Sequence, residues 1–229
     1  MKQKIRKRLA ARKRRIRRRL DKATPCRGVG PVMAGANIHY ELSDRIEGTT
    51  CGGIGAMHLL AQRLGLPAAI DRHLHVLKIH LPYHESDHVL NLAYNALCGG
   101  TCLEDIELRR QDAAYLDGIG ASRVPDPTTA GDFCRRFSQT HIDRLHDAFD
   151  EVRHRVWWQQ EPAFFDEAVV DMDGVLVETA GECKQGIDIA YNGTWGYHPL
   201  VVSLANTGEV LRLVNRSGSV AIRRISTPS

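Results

Sequence analysis

Ala168-Val-Val-Asp-Met-Asp-Gly-Val-Leu-Val177 sets two aspartates, Asp171 and Asp173, in an apolar, β-branched run. Runs of this kind read as strands buried in a core, where a carboxylate needs a reason to be. Alternate residues of a strand share a face about 6.5 Å apart, so both side chains can address one divalent metal or one phosphoryl group. This run is the expected chemical centre of the chain.

Downstream the period stays at two. Pro199–Leu204 and Glu209–Val214 read as further strands, joined by Ala205-Asn-Thr-Gly208, whose composition suits a hairpin. Upstream of Pro162 the pattern is helical. Met57–Leu64 and Ala68–Leu74 are amphipathic segments around a break at Gly65-Leu-Pro67, as in a helix-turn-helix or in a helical hairpin of a bundle. Ser86–Leu97 predicts another helix, and Thr101-Cys-Leu-Glu104 predicts a capping box opening one through Arg110. Pro125-Asp-Pro-Thr-Thr129 starts a helix around Phe133 and Phe137, and Thr140-His-Ile-Asp143 caps a long one reaching Trp157-Trp158. The fold class expected is α+β: a helical region over 52–160, then the first antiparallel strands of a sheet over 161–216.

Charge divides the chain differently. Of 31 bases and 27 acids, 13 bases and one acid, Asp21, fall in residues 2–22, leaving the body with 18 bases and 26 acids. A basic arm on a mildly acidic body seeks phosphates. Lys4, Arg6, Lys7, Arg8, Arg12, Lys13, Arg14, Arg15, Arg17, Arg18 and Arg19 are the expected nucleic-acid contacts, ordering on DNA. Residues 23–51, with Pro25, Gly28, Gly30, Pro31 and Gly35, read as a linker.

Six scattered cysteines (Cys26, Cys51, Cys98, Cys102, Cys134, Cys183) without a hydrophobic leader do not read as a disulfide framework, and a reducing cytoplasm is expected. No apolar run approaches the roughly 18 residues of a membrane span. His80, His84, His88, Cys98 and Cys102 recur at a spacing that on helices can hold zinc, but Pro82 interrupts the histidines and no CxxC pair exists. Core cysteines and surface histidines are the simpler reading.

Asp-Met-Asp-Gly-Val-Leu resembles the first motif of the haloacid-dehalogenase-like phosphatases. That resemblance implies Asp171 as nucleophile and Asp173 as general acid/base, with a lysine and a second acidic pair from later parallel strands. Four longer segments resemble something else: Leu81-Pro-Tyr-His-Glu-Ser-Asp-His-Val-Leu-Asn-Leu-Ala-Tyr-Asn95, Pro125-Asp-Pro-Thr-Thr-Ala-Gly-Asp-Phe133, Val170-Asp-Met-Asp-Gly174 and Tyr191-Asn-Gly-Thr-Trp-Gly-Tyr-His-Pro-Leu200. Together they resemble bacterial insertion-sequence transposases of the 1380 family, over roughly residues 1–216.

This resemblance implies a DDE transposase with an RNase H-like core, in which three acids hold two Mg²⁺ or Mn²⁺ ions for attack on a phosphodiester. Asp173 is then the choice for the first acid of the triad, with Asp171 either the alternative holder of that position or a helper on the same face. The implied partners are double-stranded DNA at transposon ends and further copies of the transposase. After Asn215-Arg216 the family continues into strands bearing the second aspartate and the glutamate, whereas this chain turns into Ser217-Gly-Ser-Val and a tail over 217–229. The expectation is an N-terminal transposase fragment that binds DNA in the bacterial cytoplasm without catalysing alone. A plain nucleic-acid-binding protein, whose arm is the whole function, is the third reading.

Overall fold

The computed structural model describes Arg14 and residues 31–33, 48–80, 82–181 and 184–219. These divide into two compact units, Met1–Val152 and Arg153–Ser229. Helices and sheets occur together, so the protein is α+β. Of the basic arm only Arg14 falls among the described residues, helical and exposed; Lys4, Arg6, Lys7, Arg8, Arg12, Lys13, Arg15, Arg17, Arg18 and Arg19 lie outside them, as do Cys26 and Cys183.

The first unit is helical: Ile54–Arg63, Leu66–His73, Glu85–Leu97, Ile106–Arg110, Ala113–Gly118, Pro127–Cys134 and Gln139–Trp157, the last running past Val152 into the second unit. Gly65 stands between the first two with φ 71°, a left-handed turn that costs glycine nothing. The next helix resumes at once, at Leu66, because Pro67 sits in its first turn, where a missing N–H goes unnoticed. The break is thus two residues, Leu64 and Gly65, shorter than the three expected. Ala69 and Ile70 of the second helix are fully buried, and its Arg72 and His73 are held by Glu151 at 2.6 and 2.8 Å. Its apolar face is spent on packing, as in a bundle.

Asp126 caps Pro127–Cys134, its carboxylate accepting the Thr129 N–H at 2.9 Å and the Thr129 hydroxyl at 2.8 Å. A cap of this kind contributes about 1 kcal/mol. Two expected caps fall elsewhere. Thr101 opens no helix: the Asp105 carboxylate turns back to accept the Thr101 and Cys102 N–H groups, and the helix starts only at Ile106. Thr140 lies inside the long helix, which begins at Gln139. The short helix Ala113–Gly118, capped by Asp112 on Tyr115 N–H, went unforeseen. One apolar cluster gathers Ile54, Leu90, Tyr94, Tyr115 and Ile119; another gathers Ile70, Leu74, Phe133, Ala148 and Val152.

The second unit holds two small antiparallel sheets. One has the order β1 (Val170–Gly174), β5 (Leu200–Leu204), β6 (Glu209–Val214); the other has β2 (Val177–Glu178), β4 (Trp195–Tyr197), β3 (Asp188–Ile189). The hairpin turn after Leu204 is closed by the Thr207 and Gly208 N–H groups on the Leu204 carbonyl. A register shift at Val202/Ser203 bends β5 against β6. Arg153 donates to the Val210 carbonyl at 2.8 Å and the Trp157 indole to Glu209 at 3.0 Å, tying the hairpin down.

The expected strand 168–177 is two strands in two sheets, β1 and β2. It is also not buried: Asp171, Met172 and Asp173 are all exposed. Among the described residues no helix is long and apolar enough to cross a membrane.

Candidate functional site

Asp171 pairs in register with Ser203 and Asp173 with Val201, so strand alternation puts both carboxylates on one face of β1. β1 is the outermost strand of its sheet, and that face is open to solvent. Asp173 Oδ1 accepts the N–H of its own neighbour Gly174 at 2.7 Å. Gly174, by alternation, looks to the other face, where a Cβ would collide with the His198 ring. His198 is buried, and its backbone is clamped by Arg216: the His198 N–H donates to the Arg216 carbonyl at 2.9 Å, and Arg216 Nε returns a bond to the His198 carbonyl at 3.1 Å. The glycine after the second aspartate therefore has a packing reason, and it fixes the end of the strand that carries Asp173.

The pair does not by itself fit Mg²⁺ or Mn²⁺. Such ions want an octahedron of oxygens and keep their waters unless several acids converge. Among the described residues no group of three or more His, Cys, Asp or Glu side chains is arranged to hold a metal. The zinc spacing also comes apart in space. His80 binds Glu85 at 2.9 Å and stacks on His84 at 4.7 Å, His88 stacks on Phe133 at 4.3 Å, Cys98 is half-buried with its thiol pushed up to about 12 by burial and by Cys51, and Cys102 is exposed.

Within the Leu81–Asn95 segment Glu85, Ser86, Asp87, His88, Asn91 and Asn95 form a buried polar strut. Asp87 accepts N–H bonds from Val32, Met33 and His84 at 3.0, 2.9 and 2.9 Å. Glu85 accepts from Val76 and Leu77, and Ser86 donates its N–H and hydroxyl to Asp71. Asn91 donates to the Pro125 carbonyl at 3.1 Å, and His88 meets Phe133, so this segment and Pro125–Phe133 are locked together. Segments 170–174 and 191–200 are likewise locked through Gly174 and His198. The motif residues of each unit are mutual packing partners, which period and spacing did not disclose.

Also undisclosed was a cleft in the helical unit, lined by Tyr83, His88, Arg110, Arg123, Phe133 and Arg136 among others. These come from separate segments that only the bundle brings together. Two carboxylates on its wall are already engaged, Asp126 in its cap and Asp132 with Arg135 at 3.1 Å. Comparison with models of known families, with curated proteins and with solved structures gives no match to this chain.

Proposed function

We propose that the chain is a DNA-binding protein of the DDE-transposase kind. In this reading the basic arm 2–22 and the helical unit engage double-stranded DNA, and β1, β5 and β6 form the start of an RNase H-like sheet. The observation that carries it is the place of Asp171 and Asp173. They share one face of a strand that pairs antiparallel on one side and stands free on the other among the described residues. In an RNase H-like sheet the strand with the first acid lies between the hairpin and a later parallel strand, and the free edge of β1 is where such a strand joins. A phosphatase of the haloacid-dehalogenase type wants parallel neighbours around its nucleophile strand, which gives the antiparallel β1–β5 pair less to support it.

Because two exposed carboxylates make a weak divalent-ion site, the activity assigned to the chain is binding of transposon-end DNA in the bacterial cytoplasm, with further transposase copies as partners. Neutralising several phosphates with arginines and lysines releases counterions, so affinity falls steeply with salt. Fluorescence anisotropy on a blunt duplex should therefore show observed affinity dropping by about a hundredfold or more between roughly 50 and 200 mM salt. Deleting residues 2–22 should flatten that dependence. Absence of salt-dependent duplex binding by the full chain overturns the reading, while binding that survives deletion unchanged moves the contact to the helical body.

A further inference from the structure

The cleft of the helical unit has a volume of about 550 Å³, the size of a small-molecule site and far too small for a duplex. Its charge is set by three guanidinium groups from three segments. Arg110 ends one helix and is shared with Glu107 at 2.5 Å, whereas Arg123 and Arg136 pair with no carboxylate among the described residues. Arg123 lies over the Tyr83 ring, 5.9 Å from its centroid. Tyr83 is itself held in place by its hydroxyl, which donates to the Val124 carbonyl at 3.1 Å.

The floor is aromatic and polar at once. Phe133 is buried and stacks on His88, which is only 3% exposed. His88 Nδ1 is buried without a hydrogen-bond partner. With no surface open to the cleft, that nitrogen is beyond a ligand's reach, and a ligand would meet the guanidinium groups and the Tyr83 ring. Free cations and an aromatic ring around a space of this size call for a ligand that is anionic at one end and planar at the other.

We propose that this cleft binds a nucleoside phosphate, with its phosphate between Arg123 and Arg136 and its base against Tyr83. The source is either a free mononucleotide or an unpaired nucleotide at the end of a DNA strand. The second source rests on the DNA-binding reading; the first does not.

Calorimetric titration of the full chain with deoxyadenosine monophosphate, inorganic phosphate, a blunt duplex and the same duplex with a 5′-phosphorylated single-stranded overhang separates these. The mononucleotide should bind at least about tenfold tighter than phosphate, or the overhang duplex about tenfold tighter than the blunt one. Arg123→Gln/Arg136→Gln changes two exposed side chains, should leave the melting curve unchanged and should abolish the gain. A mononucleotide gain without an overhang gain assigns the cleft to free nucleotides, and an overhang gain assigns it to DNA ends. If neither exceeds its control, or the gain survives the double substitution, the proposal is wrong. Mononucleotide binding by a chain that ignores blunt DNA upholds the cleft and defeats the DNA-binding reading instead.

Discussion

The helical unit buries its acids, and the sheet unit exposes its valines. Glu85, Ser86, Asp87 and His88 are four consecutive polar residues with at most 3% of their surface exposed, while Val170, Met172, Val210 and Leu213 are each about half exposed or more. Composition alone favours the reverse. The difference lies in what closes over each segment. Around Asp87 three backbone N–H groups converge that have no helical or sheet partner, and a carboxylate offers enough acceptor sites for all of them. Around β1, among the described residues, only β5 closes, on one side, so the apolar residues of the strand keep their solvent. Burial follows the partners available and not the polarity of the side chain.

The sharpest way to break this comparison is Asp87→Ala. It strands three donors, the Met33 N–H buried and those of Val32 and His84 partly so, and removing the shared acceptor of such a network costs about 3 kcal/mol. The helical unit should melt at least roughly 6 °C lower by circular dichroism, or fail to fold. Asp87→Asn keeps the shape and some acceptor capacity, so its loss should be smaller. A fall worth less than about 1 kcal/mol for the alanine variant would mean that water replaces the carboxylate, and that the strut is solvated in solution.

The next effect is electrostatic and confined to the same strut. Burial lowers the His88 imidazole to about 4, opposed by Asp87 and Glu85 and assisted by Arg136. A base whose folded pKa lies below its unfolded value near 6.5 contributes stability that is fully present above pH 6.5 and is lost as pH falls toward 4, because only the unfolded chain takes up the proton. Over that window the loss approaches roughly 3 kcal/mol. Asp71 works in the opposite sense: burial raises its carboxyl, so the folded state holds a proton that the unfolded state gives up as pH rises past about 3.8. Urea denaturation at several pH values, compared with His88→Gln, isolates the histidine, since Asp71 is common to both proteins. Equal slopes in the two would show that the His88 site opens to water.

How much of this was legible depends on the length of the signal. The Glu209–Val214 strand, its turn and the Glu85–Leu97 helix carry clear two- or four-residue periods and stand within a residue or so of where the sequence puts them. The Ala113–Gly118 helix and the two- and three-residue strands β2, β3 and β4 are shorter than a period can reveal. Thr101 misled because a capping box and a carboxylate folding back on its own loop share the same residue types. The shared face of Asp171 and Asp173 was readable, since alternation is a property of the strand alone; their exposure was not, since it belongs to the neighbours. The cleft was invisible for the same reason: Tyr83, Arg110, Arg123 and Arg136 are unremarkable until four segments meet.

On the sheet side the expected effect is on association more than on folding. An apolar edge strand is a template for pairing with another chain, and natural proteins guard such edges with lysine. Met172→Lys should lower self-association in sedimentation or light scattering while leaving the melting curve within about 0.5 kcal/mol. A wild-type chain that is monodisperse at high concentration would show the edge already protected.

The smallest effect separates the two units most cleanly. Asp171 and Asp173 are exposed, and among the described residues Asp173 accepts only its neighbour's N–H. Replacing an exposed carboxylate by its amide removes a charge but little structure, so Asp171→Asn and Asp173→Asn should each change stability by less than about 0.5 kcal/mol. Relief of repulsion between two like charges on one face should even make the double variant marginally more stable at low salt, an advantage that screening removes. If instead either variant destabilises by more than about 1 kcal/mol, the face that carries the pair is covered in solution, by a second copy or by chain from outside the described residues, and the contrast between a closed helical unit and an open sheet no longer holds.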